Sequence, residues 1–185
     1  LKGKETKKPE EEEYLLVDGY NVIFAWEELN ELAKVNIDGA RGRLMDILCD
    51  YQGIRKCNLI VVFDAYRVQG HPTEILDYHN IHVVYTKEAE TADQFIEKFA
   101  HENGAKYDVT VATSDGLEQL IIRGQGCHLM SARDLKEEVD YVNQQIRTEY
   151  LEKSTRTTGN KVLDQTDPEL AEHLEKIRQN EPEQI

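Results

Sequence analysis

The sequence predicts a three-layer α/β/α domain built on a central, mainly parallel sheet of five strands. Five short apolar runs recur along the chain, and segments with the apolar spacing of a helix lie between them. Apolar runs without polar alternation are typical of strands that are buried on both faces. Regular alternation of strands and helices predicts right-handed crossovers with helices on both faces of the sheet.

The strands are expected where β-branched and aromatic residues cluster. The runs cover residues 14–17, 59–63, 81–85, 109–113 and 127–130. Residues 65–80 interrupt the alternation, because they form a long connection that contains Gly70, His71 and Pro72. We expect this connection to loop over one edge of the sheet.

The helices are expected where apolar residues repeat at intervals of three and four positions, so that each set shares one helix face. The sets are Leu44, Ile47, Leu48 and Tyr51; Ala92, Phe95, Ile96 and Phe99; Leu117, Leu120 and Ile121; and Leu135, Val139, Val142 and Ile146. Capping signals agree with these positions. The predicted first caps are Asp38, Thr91 with Gln94, Ser114, and Ser131 with Asp134, and the predicted ends are Gly104 and Gly124.

This pattern places one domain at residues 14–150. Residues 1–13 run from Lys-rich to Glu-rich and resemble a charged interdomain linker, as in a fragment of a larger protein. Residues 151–185 form a polar tail in which Asp167 and Pro168 make a good helix start. A short docking helix and disorder are both compatible with that tail.

The acidic net charge limits the ways in which this protein could bind nucleic acid. The 185 residues carry a formal net charge of -14 from 36 acids and 22 bases. The excess lies in the domain itself, since residues 14–150 hold 23 acids and 13 bases. Binding of naked nucleic acid by broad phosphate neutralisation needs a basic surface, so a nucleic-acid partner must be delivered or recognised locally.

The remaining composition indicates a reduced, cytoplasmic protein. The three cysteines, Cys49, Cys57 and Cys127, are odd in number and far apart, which argues against a disulfide framework and a zinc knuckle. No apolar stretch approaches the roughly 20 residues that span a bilayer, and the N-terminus lacks the apolar core of a signal peptide. We therefore expect no membrane partner.

Four aspartates are expected to meet at one edge of the sheet. Asp18 and Asp64 directly follow the first and second runs, and Asp115 follows the fourth. Asp93 lies in the first turn of the helix after the third run. The functional crevice of an open α/β sheet lies outside the carboxyl ends of its parallel strands, where these acids would be neighbours.

Carboxylates gathered this closely repel by about 4 kcal/mol for a pair 4 Å apart at an effective dielectric of 20, so a cation or protonation is required. Oxygen ligands suit Mg²⁺ or Mn²⁺, which would serve phosphoryl transfer. Each acid also has a simpler interpretation. Asp18 and Asp115 could cap helices, and Asp93 could favour a helix dipole.

Supporting residues surround these acids. Asn21 could orient Asp18, and Ser114 could cap a helix, support the metal site, or do both. Candidate RNA contacts are weaker, because solvated surface charge explains each of the basic residues better than RNA binding does. They are Tyr20, Arg67, Lys87 and Arg123.

Four short motifs carry a resemblance to a known family. They are Tyr14-Leu-Leu-Val-Asp-Gly-Tyr-Asn21, Val61-Val-Phe-Asp64-Ala65, Glu90-Thr-Ala-Asp93 and Thr113-Ser-Asp115-Gly116. Together and in this order they resemble the YacP-like NYN domains, relatives of PIN-domain nucleases. The resemblance covers residues 14–150 and implies a PIN-like fold.

The resemblance also implies a metal-dependent endoribonuclease that acts on single-stranded RNA, with relatives that cut messenger RNA on the ribosome. It assigns catalytic roles to Asp18, Asp93 and Asp115, with Asp64 and Asn21 in support. Similar domains are fused to ribosomal-protection-type translational GTPases, which the linker-like start would fit. A non-catalytic RNA- or ribosome-binding module is the alternative, and a phosphatase fits less well because Tyr20 occupies the position of its second acid.

Overall fold

The computed structural model describes residues 12–64, 73–87 and 89–158. The elements are β1 Glu13–Asp18, α1 Gly19–Ala25, α2 Glu27–Val35, α3 Ile37–Arg55, β2 Asn58–Phe63, β3 Glu74–Tyr78, β4 Ile81–Tyr85, α4 Ala92–Asn103, β5 Asp108–Ala112, α5 Gly116–Gly124, β6 His128–Met130 and α6 Ala132–Thr158. Among these described helices, none has the length and apolar character needed to cross a membrane.

The sheet has the order β3-β4-β2-β1-β5-β6, and all neighbours are parallel except β3 and β4. The predicted mainly parallel α/β architecture is therefore confirmed. The predicted count of five strands is wrong, because β3 adds an antiparallel edge strand within the expected loop 65–80. Its first four residues are exposed, so β3 lacks the apolar run by which a buried strand is recognised.

Alternate residues of the strands face two separate layers of helices. Leu15 and Val17 of β1 belong to the core beneath α1, α2, α3 and the first part of α6. Leu16 belongs to the opposite core, which contains Ile96 of α4 and Ile122 of α5. Burial on both faces explains why β1, β2 and β5 are continuous apolar runs.

Of the four predicted helix caps, Thr91 and Ser131 are confirmed, whereas Asp38 and Ser114 are replaced by neighbouring residues. Thr91 forms a capping box at α4, and Ser131 accepts the predicted backbone hydrogen bond at α6. Asp38 is not the cap of α3. The capping residue is Asn36, two residues earlier, whose side chain accepts a 2.9 Å hydrogen bond from the Gly39 N–H.

Parts of both chain ends lie outside the described residues. Residues 1–11 of the expected linker, and the expected helix start at Asp167, lie outside the described residues. Helix α6 continues through residue 150 to Thr158. The chain divides into two compact units, and the first of them ends at Asn143. The boundaries 1–13, 14–150 and 151–185 stay predictions.

Gly19 is the residue at which β1 passes into α1. A Cβ atom there would overlap the ring of Phe63, which is fully buried and packed against Tyr20 and Tyr85. We expect Gly19→Ala to lower the free energy of unfolding by about 1–3 kcal/mol, measured by urea denaturation. Gly42→Ala is the matched control, because Gly42 lies within α3 with open space around it. The control should instead gain about 0.5–1 kcal/mol, and equal effects of both substitutions would contradict the steric explanation.

Candidate metal centre

The carboxyl ends of three parallel strands converge at one edge of the sheet. β1 ends at Asp18, Asp64 directly follows β2, and Asp115 lies three residues after β5. Asp93 is in the first turn of α4. The charges of the other three aspartates raise the pKa of Asp18. The topology therefore brings the four predicted acids close enough to interact electrostatically.

Asp18 is the most enclosed of these aspartates. It caps α1 by accepting a 3.3 Å hydrogen bond from the Asn21 N–H, and it is 8% exposed. Burial raises the pKa of Asp18 to about 7, the Asn21 bond opposes that rise, and Asp93, Asp64 and Asp115 add to it. The helix-cap and functional interpretations of Asp18 are therefore compatible.

Glu118 is a member of this site that the sequence did not reveal. It is 4% exposed, and neither carboxylate oxygen has a hydrogen-bond partner among the described residues. Burial raises the pKa of Glu118 to about 8, which outweighs the lowering of that pKa by the nearby Thr113 side chain. Repulsion from Asp18 and Asp93 contributes further. An unpaired buried carboxylate is unfavourable unless a proton or a cation neutralises it.

Asp18, Asp93 and Glu118 form the set best placed to hold a metal ion. Each offers one carboxylate oxygen, and these oxygens lie within 4.8 Å of one another. Burial raises the pKa of Asp93 as well, with help from Asp115 and Asp64. The donor chemistry and the unpaired oxygens of Glu118 thus fit a hard divalent cation.

Asp64 and Asp115 are engaged with backbone groups. Oδ1 of Asp64 accepts a 2.5 Å hydrogen bond from the N–H of Ala92, the first residue of α4. Oδ1 of Asp115 caps α5 by accepting from the N–H groups of Leu117 and Glu118, at 2.8 and 3.2 Å. Both aspartates therefore fix the helices that carry Asp93 and Glu118.

The bond between Asp64 and Ala92 suggests that Asp64 acts by positioning α4. Asp64→Asn keeps the accepting oxygen, and we expect it to retain RNA cleavage within about threefold of wild type. Asp64→Ala removes the acceptor and should lower cleavage about tenfold or more, because α4 carries Asp93. Rate measurements at saturating Mn²⁺ compare the two. If both variants fail equally, the negative charge of Asp64 is itself required.

Two further hydrogen bonds connect the elements that meet at this edge of the sheet. The Asn21 side chain accepts a 2.8 Å bond from the Ser114 N–H, which joins α1 to the loop after β5. The Ser114 hydroxyl accepts a 3.0 Å bond from the Ala132 N–H at the start of α6. The prediction that Ser114 caps α5 is wrong, because the adjacent Asp115 performs that role.

The predicted RNA contacts are dispersed. The Tyr20 hydroxyl accepts a 2.7 Å bond from Arg41, a half-buried arginine that the sequence did not single out. Lys87 is exposed just after β4. Arg123 is exposed in the last turn of α5, about 10 Å along the helix from its start at the site. Arg67 lies outside the described residues.

A small cleft of about 80 Å³ opens beside the acids. Its lining combines four carboxylates with aliphatic side chains of α5. The lining comprises Asp93, Glu97, Asp115, Glu118, Leu117 and Ile121. None of these described lining residues is basic, so the cleft strongly favours a cation or a neutral group over an uncompensated phosphate.

Comparisons with known proteins agree with this architecture. The model of the YacP-like NYN domain matches residues 15–179. Uncharacterized protein YacP of Bacillus subtilis (strain 168) is 43% identical over 133 residues, which are 71% of this chain and 78% of the relative. The crystal structure of Rae1 (YacP) from Bacillus subtilis has a TM-score of 0.66 and 37% identity, covering 90% of this chain and 95% of that one. A mutant of the same protein gives 0.67 and 35%, with 87% and 89% covered.

Proposed function

Because the chain belongs to the YacP-like NYN domain family, we propose that it is a metal-dependent endoribonuclease that cleaves single-stranded RNA. The observation that carries the proposal is the buried, unpaired carboxylate of Glu118 beside Asp18 and Asp93. Such an arrangement is unfavourable unless a proton or a cation neutralises it, and Mg²⁺ and Mn²⁺ prefer these ligands. When bound, the ion supplies positive charge to a phosphodiester and lowers the pKa of water.

The residues of the chain would divide the remaining tasks. Asp18, Asp93 and Glu118 would hold the ion. Asp115 lines the cleft and is fixed by two backbone N–H groups, and we assign it to receive the proton of the attacking water. Hydrolysis forms one bond from the water oxygen to phosphorus and breaks one P–O bond, and the leaving oxygen takes up a proton. Asn21 and Ser114 keep the contributing elements in register.

The acidic surface favours a setting in which RNA is delivered to the domain. A net charge of -14 opposes capture of naked RNA by long-range attraction. We propose a cytoplasmic, ribosomal context, in which messenger RNA is already confined near the cleft. A fused translational GTPase stays a prediction.

The activity is tested with purified protein and an end-labelled single-stranded RNA. We expect internal cleavage with Mn²⁺ or Mg²⁺, none with EDTA, and none of the same sequence in a duplex. Binding in Mg²⁺ without cleavage would favour the alternative of a non-catalytic RNA- or ribosome-binding module, which the acidic surface keeps open. Cleavage that persists in EDTA would exclude the metal-dependent mechanism.

A further inference from the structure

The apolar spacing of α5 suggests that its aliphatic face packs against the sheet. In the structure a different face of α5 is buried, and the aliphatic face is exposed. Leu117, Leu120 and Ile121 share one face of the helix, yet they are 71%, 69% and 37% exposed. The buried positions are Glu118 and Ile122. The orientation therefore places a carboxylate inside the site and an aliphatic stripe outside it. Exposed apolar patches of this kind are characteristic of binding surfaces.

The stripe is continuous with the acidic centre. Leu117 and Ile121 line the cleft that also contains Asp93, Asp115 and Glu118. A molecule whose reacting group lies at the acids must therefore contact the α5 stripe with an adjacent part. This continuity points to the substrate as the occupant, in preference to a separate protein partner.

The charge of the cleft specifies which part of an RNA fits there. The described lining holds four carboxylates and no basic side chain, so phosphates away from a bound cation are repelled. Nucleobases are uncharged and have apolar faces. Bases of single-stranded RNA are free to leave their neighbours, whereas bases in a duplex stay paired and stacked.

We propose that the apolar face of α5, formed by Leu117, Leu120 and Ile121, is the surface against which unpaired nucleobases next to the scissile phosphate lie. The inference rests on the proposed function and deepens it, since it explains how an acidic domain selects single-stranded RNA. Contact with aliphatic side chains requires no particular base, so this surface confers selectivity for strandedness over sequence.

The test uses the double variant Leu117→Ser with Leu120→Ser in the full chain. Both side chains are exposed, so folding is preserved. Ile54→Ser is the matched control. Ile54 is 48% exposed and lies next to the last residue of α3, which leads to the amino end of β2, away from the carboxyl edge. Steady-state cleavage of single-stranded RNA in Mn²⁺ is compared with cleavage of the same RNA carrying abasic nucleotides beside the cut position.

We expect the double variant to raise KM about tenfold with kcat within about twofold of wild type, and the control to match wild type. Abasic nucleotides should raise KM for wild type by a similar factor and produce little further loss in the double variant. Additive losses, or unchanged KM in the double variant, would overturn the inference while leaving the nuclease activity intact. Unchanged kinetics on RNA in the double variant would indicate that this face binds a protein partner instead of the substrate. If wild type cleaves none of these RNAs, the proposed function fails together with the inference.

Discussion

Asp18→Asn is expected to lower the rate of metal-dependent RNA cleavage by about a thousandfold or more. The substitution keeps the size and the hydrogen-bond acceptor of the side chain, but it removes a charge from the set of Asp18, Asp93 and Glu118. Stabilisation of the phosphoryl-transfer transition state by a bound ion contributes several kcal/mol, which corresponds to factors of this size. Single-turnover cleavage of a labelled single-stranded RNA in Mn²⁺ measures the loss.

The same variant should be at least as stable as wild type when no metal is present. In the folded protein the pKa of Asp18 is about 7 against a usual 3.8, so the charged form is disfavoured by folding. Stability from this group is complete below about pH 4 and declines as the pH rises toward 7. At pH 8 in EDTA, Asp18→Asn removes that unfavourable charge, and urea denaturation should show a gain of about 1–2 kcal/mol.

The control is Asp50→Asn, which neutralises an exposed aspartate of α3. It should leave both cleavage and stability near the wild-type values. Loss of activity with increased stability in Asp18→Asn would distinguish a functional acid from a structural one. Retained cleavage would remove Asp18 from the metal site, and clear destabilisation would contradict the inference that the charge of Asp18 is unfavourable in the folded protein.

Glu118→Gln is expected to abolish most of the stabilisation that Mn²⁺ gives to the folded protein. An ion that binds only the folded state stabilises it by about 2.7 kcal/mol at a concentration one hundred times its Kd. Without Glu118, one of the two buried ligands of the set is missing. We expect a Mn²⁺-dependent rise in Tm for wild type and little or none for the variant, with cleavage lost in parallel.

The pH dependence gives an independent check on Glu118. Its folded pKa is about 8 against a usual 4.5, so its contribution to stability is complete below about pH 4.5 and is lost as the pH rises through 8. Metal-free wild type should therefore lose Tm between pH 5 and 9 more steeply than Glu118→Gln. Glu97→Gln is the control, since Glu97 lines the cleft but is exposed and outside the ligand set. An equal Mn²⁺ response in wild type and Glu118→Gln would exclude Glu118 as a ligand.

Much of this architecture follows from the sequence alone. Burial on both faces makes β1, β2 and β5 continuous apolar runs, and apolar runs also mark β4 and β6, so these five strands could be located without coordinates. Their chain order and the rule of carboxyl-end crevices then placed Asp18, Asp64 and Asp115 at one edge. The motifs around these residues also sufficed to indicate the family.

Other features depend on tertiary structure. The edge strand β3 escaped detection, because a strand exposed on both faces has no apolar pattern. Glu118 was missed for a related reason. Periodicity showed that Leu117, Leu120 and Ile121 share a face of α5, and ordinary burial energetics would turn that face inward. Packing of Ile122 into the core and capping by Asp115 orient α5 the other way. Sequence periodicity determines which residues lie together on a helix, whereas only packing against the sheet decides which face is buried.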